Sequence, residues 1–316
     1  MAAKVYVLTP VYNGAEFLRE AMDSVQAQTY PNLEHLVIEN ASTDATPQIL
    51  SEYENARVPV RVIKNETLLR QVPNWNTAVE KLPEDAEWFR ILCADDTMAP
   101  DFIEKTVNLG ETDDSIGIVT CKVDMGFEIH HSDWPEDRSI FDGTEALKRF
   151  LTHSGNVLAP HVLYRRATIP DDQPFFDESV SAFDTDAVLR TYCDWKLGFL
   201  HDILAMNRVH EDSVTSKKVA PKRLHLFDWY HFLCRYGESG LGRQEKQRML
   251  KRFRRHYLWR LVRASMQDGN MAVYREHKTR LQKLGESPTL GDAFDVLSDR
   301  VMVAVGLRPG WRSYPW

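Results

Sequence analysis

The sequence lacks most of what marks a membrane-spanning, secreted or nucleic-acid-binding protein. No apolar run approaches the roughly 18 residues that a membrane-spanning helix needs, and the N-terminal MAAKVYVL shows no h-region followed by a cleavage site. Cysteine is scarce. Cys93, Cys121, Cys193 and Cys234 are widely spaced and form no CxxC pair, which excludes a zinc knuckle or a thioredoxin-like motif and fits reduced thiols. Without a secretory signal, the sequons at Asn40 and Asn65 read as chance matches. Gly and Pro, at 15 each, exclude a collagenous or linker-like chain. The loop after the first strand, Thr9-Pro10-Val11-Tyr12-Asn13-Gly14, lacks the GxGxxG of a dinucleotide site, and there is no P-loop lysine motif.

What is present describes a folded chain of 316 residues, 43% hydrophobic and 27% charged. Its net charge of −7 conceals two unlike parts. Residues 1–216 hold 18 Lys and Arg against 37 Asp and Glu, whereas residues 217–316 hold 21 against 9. An acidic main body excludes a phosphate backbone as partner, so no nucleic acid is expected. Residues 243–263 contain nine Lys and Arg against only Glu245, interleaved with Met249, Leu250, Phe253, Tyr257, Leu258, Trp259, Leu261 and Val262. A helix of this pattern either docks on an anionic membrane surface or packs on the acidic part of the chain. The expected location is cytoplasmic, with peripheral contact on the inner face of the membrane through residues 243–263 as the further expectation; the oligomeric state is not legible.

From Lys4 the chain alternates strand and helix. Strands are expected at 4–8, 33–38, 58–63, 88–92 and 116–123. Helices are expected after Asn13-Gly14-Ala15-Glu16, which has capping-box spacing, after Thr46-Pro47, over 72–82 and after Ala99-Pro100. Such alternation predicts a mostly parallel sheet covered on both faces, with ligands beyond the carboxyl ends of its strands. From about 124 to 216 the pattern loosens, with helices near 144–151 and 185–193 and a short strand at 162–165. Long helical patterns then cover 221–236, 243–266, 271–284 and 290–305, so a helical part begins near 217.

Asp95-Asp96, directly after the apolar strand 88–92, is the candidate for chemistry. Adjacent carboxylates at a strand end can hold Mg²⁺ or Mn²⁺, whose other face takes the phosphates of a nucleotide diphosphate. Capping of the next helix is the competing role. The combined pattern favours the metal. VYVLTPVYNGAEFLREAMDSVQAQTYPNLEHLVIENASTDAT resembles the opening of family 2 glycosyltransferases, and NWNTAVEKLPEDAEWFRILCADDTMAP resembles the segment carrying their DxD-type motif. GNVLAPHVLYRR, FDESVSAFDTDAVLR and FLHDILAMNRVHEDSVT follow in the same order as the family's acceptor-side, catalytic-base and C-terminal histidine segments.

The resemblance implies an α/β fold of the GT-A type (nucleotide-diphospho-sugar transferase, Rossmann-like mixed sheet) over residues 1–216, with a helical C-terminal extension over 217–316. The implied activity is metal-assisted, inverting transfer of a sugar from a nucleotide diphosphate donor, UDP-sugar first, to a glycan or lipid-linked acceptor. Thr9, Pro10 and Tyr12 would line the nucleobase pocket. Glu39, where the family usually has Asp, would meet the base edge, with Asp44 in the adjoining turn and Arg70 facing the sugar nucleotide. Asp95 would hold the metal, Asp96 would contact ribose or metal, and His210 would complete the metal or diphosphate site. Asp184 maps to the catalytic base, with Asp186 as the alternative if the register slips; Asn156, His161, Trp134 and Trp195 are acceptor-side candidates. Cys93 and Phe183 stand at positions the family usually fills with acids. They keep open a rival reading, a non-catalytic sugar-nucleotide-binding sensor or scaffold; the nearest enzymatic rival is a nucleotidyltransferase on a similar sheet, but its glycine-rich, lysine-bearing first loop is absent.

Overall fold

The structure, a computed structural model, describes residues 2–130, 134–153, 159–210, 217 and 219–304. The chain forms two compact units, the first comprising Met1–Ala146, Asn156–Glu178 and Phe183–Val209. The second takes Leu147–Gly155 and Ser179–Ala182 besides His210–Trp316.

In chain order the first unit contains β1 (Val5–Val11), α1 (Leu18–Gln26), β2 (Leu33–Glu39), α2 (Thr46–Ser51), β3 (Val60–Lys64), α3 (Gln71–Glu80), β4 (Trp88–Ile91), β5 (Thr97–Met98) and α4 (Phe102–Gly110). β6 (Ile116–Asp124), β7 (Ile129–His130), β8 (Ile140–Phe141), α5 (Gly143–Thr152), β9 (Val162–Arg165), α6 (Phe183–Thr191) and β10 (Lys196–Met206) follow, α5 running on into the second unit. The strands form one sheet in the order β3-β2-β1-β4-β9-β6-β10-β5, with β7 on β6 and β8 on β10. β3, β2, β1 and β4 run parallel to one another, and β9 is antiparallel between β4 and β6. The sheet is therefore mixed but mostly parallel.

β1 reads VYVLTPV and is buried along its whole length, as a strand covered on both faces must be. It runs to Val11 because its pairing with β2 continues through Val11 opposite Glu39. Thr9 and Pro10, expected in the loop, thus lie in the strand. β1 pairs with β4 only as far as Leu8 opposite Ile91, so Pro10 sits where one flank has no partner strand to miss its amide. α1 buries Leu18, Ala21, Met22 and Val25, a single helical stripe. The capping box expected at its start does not form: Phe17 holds the N-cap without a side-chain bond.

β10 was not legible as a strand. Register shifts at Lys196/Leu197, Leu200/Ile203 and Ile203/Ala205 break its alternation and leave polar His201-Asp202 in its middle.

The second unit is helical: α7 (Ala220–Lys222), α8 (Leu224–Leu241), α9 (Arg243–Asp268), α10 (Ala272–Lys283) and α11 (Leu290–Ala304). Phe253, Tyr257, Leu258 and Leu261 of α9 are buried, with Tyr257 5.8 Å from the Tyr230 ring of α8 and its hydroxyl 2.6 Å from His277 Nδ1 of α10. Arg254 bonds Asp292 (2.7 Å) and Glu286 (2.6 Å). Phe253 and Tyr257 are thus packed within the unit, whereas Trp259 is half-buried and Val262 exposed. Among the described residues no helix is long and apolar enough to cross a membrane.

Candidate active site

The strand order changes direction of growth at β1 and β4, the crevice where open α/β sheets bind ligands. Three loops leave the carboxyl ends of β1, β2 and β4 there and are tied together residue by residue. Asn13, in the left-handed region at φ 49°, accepts the Thr43 amide (2.8 Å) and donates its own amide to Ser42 Oγ (3.0 Å). The Gly14 amide bonds Thr46 Oγ1 (2.9 Å). Gly14 is required: a Cβ would lie 2.7 Å from Val11 Cγ2 and 3.3 Å from Ala94 Cβ, in the acidic loop.

Asp44 accepts the amides of Ala15 (3.0 Å) and Thr46 (2.9 Å), joining the first two loops. Burial works against its charge, but the Thr46 hydroxyl and these amides outweigh it and hold the carboxyl below its ordinary range. Glu39 is buried and accepts the Ser42 amide at 2.6 Å. Thr9 is fully buried, its hydroxyl 2.8 Å from His35 Nε2, and Pro10 is buried beside it, so neither side chain stands in the loop. Tyr12 does, 46% exposed. Arg70, at the N-cap of α3, is exposed and pairs with Glu178 at 2.8 Å.

An asparagine network went unread in the sequence. Asn40 Oδ1 accepts Leu69 N and Asn65 Nδ2, both at 2.9 Å, and Asn65 also donates to Asn74 Oδ1 at 2.9 Å, fixing the loop that carries Arg70.

The acidic loop follows β4. Among the described residues, the Cys93 sulfur and one oxygen each of Asp95 and Asp96 all lie within 4.8 Å of one another. Asp96 is buried; its Oδ1 accepts the Arg208 amide at 2.9 Å, and its Oδ2 lies 4.0 Å from His161 Nε2. Burial, reinforced by the Asp95 charge, pushes the Asp96 carboxyl up to about 7. Burial and the charges of Asp96, Asp95 and Asp184 raise the Cys93 thiol well above its usual range, so it stays protonated.

Two cations that sequence reading passed over serve this loop. Arg90 is fully buried, 4.0 Å above the Phe102 ring and 3.5 Å from His161 Nδ1, and burial lowers it to about 10. Arg208 donates Nε to the Asp95 carbonyl (3.2 Å) and Nη2 to Glu20 (2.5 Å), and lies over Phe17.

Asp184 lies in the first turn of α6, half-buried, accepting the Thr185 amide at 2.7 Å. Burial raises its pKa, and its charge is felt at Cys93 and Tyr164. Asp186 is fully buried, with Arg190 at 4.0 Å. Phe183 packs edge-on against Trp75 (5.0 Å) and Phe176 (5.5 Å), which accounts for an aromatic where an acid was expected. Trp134 packs between Phe141 and Phe199, and Trp195 closes over Gly117. His161 bonds Asn207 (3.0 Å) behind Asp96. His210 opens the second unit. Asn156 lies outside the described residues.

A mostly parallel sheet carrying an acidic loop at its switch point is the architecture of a GT-A-type transferase. Two solved structures share the fold. Staphylococcus aureus TarS in complex with UDP-GlcNAc aligns with a TM-score of 0.58 at 21% identity, over 79% of this chain and 71% of that one. A mannosyltransferase from Pyrobaculum calidifontis, in complex with GDP-Man and Mn²⁺, aligns with a TM-score of 0.59 at 16% identity, over 100% of this chain and 84% of that one. An uncharacterized glycosyltransferase of Rickettsia typhi is 28% identical over 238 residues, 72% of this chain and 71% of its own. The family model for glycosyl transferase family 2 matches residues 6–169, more than half of the chain. The chain belongs to that family and is a glycosyltransferase.

Proposed function

We propose that the protein transfers a sugar, with inversion, from a nucleotide diphosphate donor, UDP-sugar first, to a hydroxyl of a glycan or lipid-linked acceptor. The observation that carries this reading is the Asp95-Asp96 pair at the end of β4, in one electrostatic neighbourhood with Asp184. The donor set fits a hard cation. Mg²⁺ and Mn²⁺ bind through one or two carboxylates plus substrate phosphates, and Asp95 and Asp96 offer two carboxylates side by side. Asp95 would hold the ion, His210 would complete the metal or diphosphate site, and Asp96, already bonded to Arg208, would contact ribose or support the metal. When bound, the ion offsets the charge that develops on the departing diphosphate.

The protein's own groups do the rest. The exposed Tyr12 ring supplies a stacking face for the base, and Glu39 meets the base edge with the oxygen not used by Ser42. Thr9 and Pro10 contribute through the strand end that shapes the pocket, Asp44 by fixing its two loops, and Arg70 by its exposed guanidinium. Asp184 removes the acceptor proton as that oxygen attacks; a raised pKa brings a carboxylate closer to the operating pH of a general base. Asp186, sealed in the interior, is the weaker candidate. Peripheral contact with an anionic membrane would use chiefly the cations of residues 243–263, since Phe253 and Tyr257 of α9 are buried and Trp259 and Val262 keep some apolar surface open.

A panel of UDP-GlcNAc, UDP-glucose and GDP-mannose with Mn²⁺, read as released nucleotide and transferred sugar, tests the reading. Metal-dependent turnover of at least one donor is expected. Binding without any turnover would instead favour a sensor.

A further inference from the structure

Arg260, Arg263, Ala264 and Gln267 stand at the i, i+3, i+4, i+7 spacing that gathers side chains on one face of α9. Ala264 is buried and short, so this face is recessed between longer neighbours, and Arg223, at the joint of α7 and α8, closes it. Together these side chains line a cavity of about 250 Å³ that belongs wholly to the helical unit. Arg263 and Gln267 are exposed, so the cavity is reached from solvent.

Each long side chain around it carries N–H donors, and among the described residues no acid lines it. Nor do Arg223, Arg260 and Arg263 have an ion pair among the described residues. Other cations of the unit are matched: Arg254 with Asp292 and Glu286, Lys222 and Arg280 with Glu276, and Arg248 with Glu245. Like charges three apart on a helix repel, and Arg223 adds to the excess. Partial burial, then the charges of Arg260 and Arg223, hold the nearby His225 imidazole below its ordinary value. An anion in the cavity relieves this repulsion.

Guanidinium forks match the oxygens of carboxylates and phosphates in pairs. A carboxylate has two oxygens and one charge for three guanidiniums. A phosphate monoester brings three oxygens and roughly −1.5 to −2 charges, and the volume admits it with part of the molecule that carries it.

We propose that Arg223, Arg260 and Arg263 form a binding site for a phosphate monoester, carried either by a lipid headgroup or by a soluble compound. Its residues all lie in the helical unit, and it does not depend on the reading of the donor site.

The full chain, free of divalent cation, is titrated calorimetrically with pyrophosphate. It is also sedimented with phosphatidylcholine vesicles carrying phosphatidic acid, a monoester, or phosphatidylglycerol, a diester, at matched surface charge. Pyrophosphate should bind at one site per chain. A preference for phosphatidic acid identifies a lipid as the source, and equal sedimentation with the two lipids identifies a soluble phosphate. Arg223→Gln and Arg260→Gln should each weaken this binding roughly tenfold or more, the worth of one hydrogen bond to a charged group, with Tm and UDP-Mn²⁺ affinity kept. Arg260→Lys keeps the charge, covering the case in which its removal disturbs the fold, and should still lose severalfold because an ammonium forms no fork. Neither pyrophosphate binding nor a preference for phosphatidic acid overturns the site, as does binding that the variants leave unchanged. A lysine variant equal to wild type beside a weakened glutamine variant would show diffuse attraction by charge and overturn it as well.

Discussion

Burial of His35 inside the sheet, with Thr9 Oγ1 2.8 Å from its Nε2, pushes the imidazole down to about 3. The folded protein therefore binds this proton less readily than the unfolded chain does, with its imidazole near 6.5. Stability is full above pH 6.5 and is lost progressively as pH falls toward 3. Urea unfolding from pH 7 to 4 is expected to show this loss, and His35→Leu should lack that component of the slope; an identical slope in the variant would remove the assignment. Among the proposed site residues, Asp95 stood out in an acidic pair at a strand end, whereas Asp184 was marked by the family resemblance. Arg90 was not legible, since an arginine within WFRI means nothing until Phe102 and His161 are brought around it. Arg208 was in view only as a neighbour of His210, because its bonds to Asp96, Asp95 and Glu20 join positions more than a hundred residues apart.

Elements were readable where one period dominates. The stripe of α1 and the apolar runs of β2 and β4 place themselves, whereas β10 is hidden by its bulges and the end of β1 by pairing that only β2 reveals. The first loop is the most constrained of these joints. Gly14 lies against Val11 and Ala94, so Gly14→Ala must separate the β1 loop from the loop carrying Asp95. Overpacking of this kind costs about 1–3 kcal/mol. A fall in Tm with weakened UDP-Mn²⁺ binding by calorimetry is expected; a variant with wild-type Tm and affinity would show that the contact yields freely.

Over the whole molecule, charge divides as the sequence indicates, with residues 217–316 holding 21 Lys and Arg against 9 acids. With Phe253 and Tyr257 of α9 buried, attraction to an anionic surface would be chiefly electrostatic and screened by salt. Sedimentation with anionic vesicles is expected at low salt and lost at high salt; no binding at low salt would exclude a membrane contact through 243–263. The central claim concerns the base, and turnover of Asp184→Asn beside its UDP-Mn²⁺ affinity tests it most directly. The substitution keeps shape and removes basicity, so sugar transfer should fall by about 10² to 10⁴-fold while nucleotide affinity stays within about twofold. Transfer at the wild-type rate in Asp184→Asn, with Asp186→Asn inactive, would contradict it.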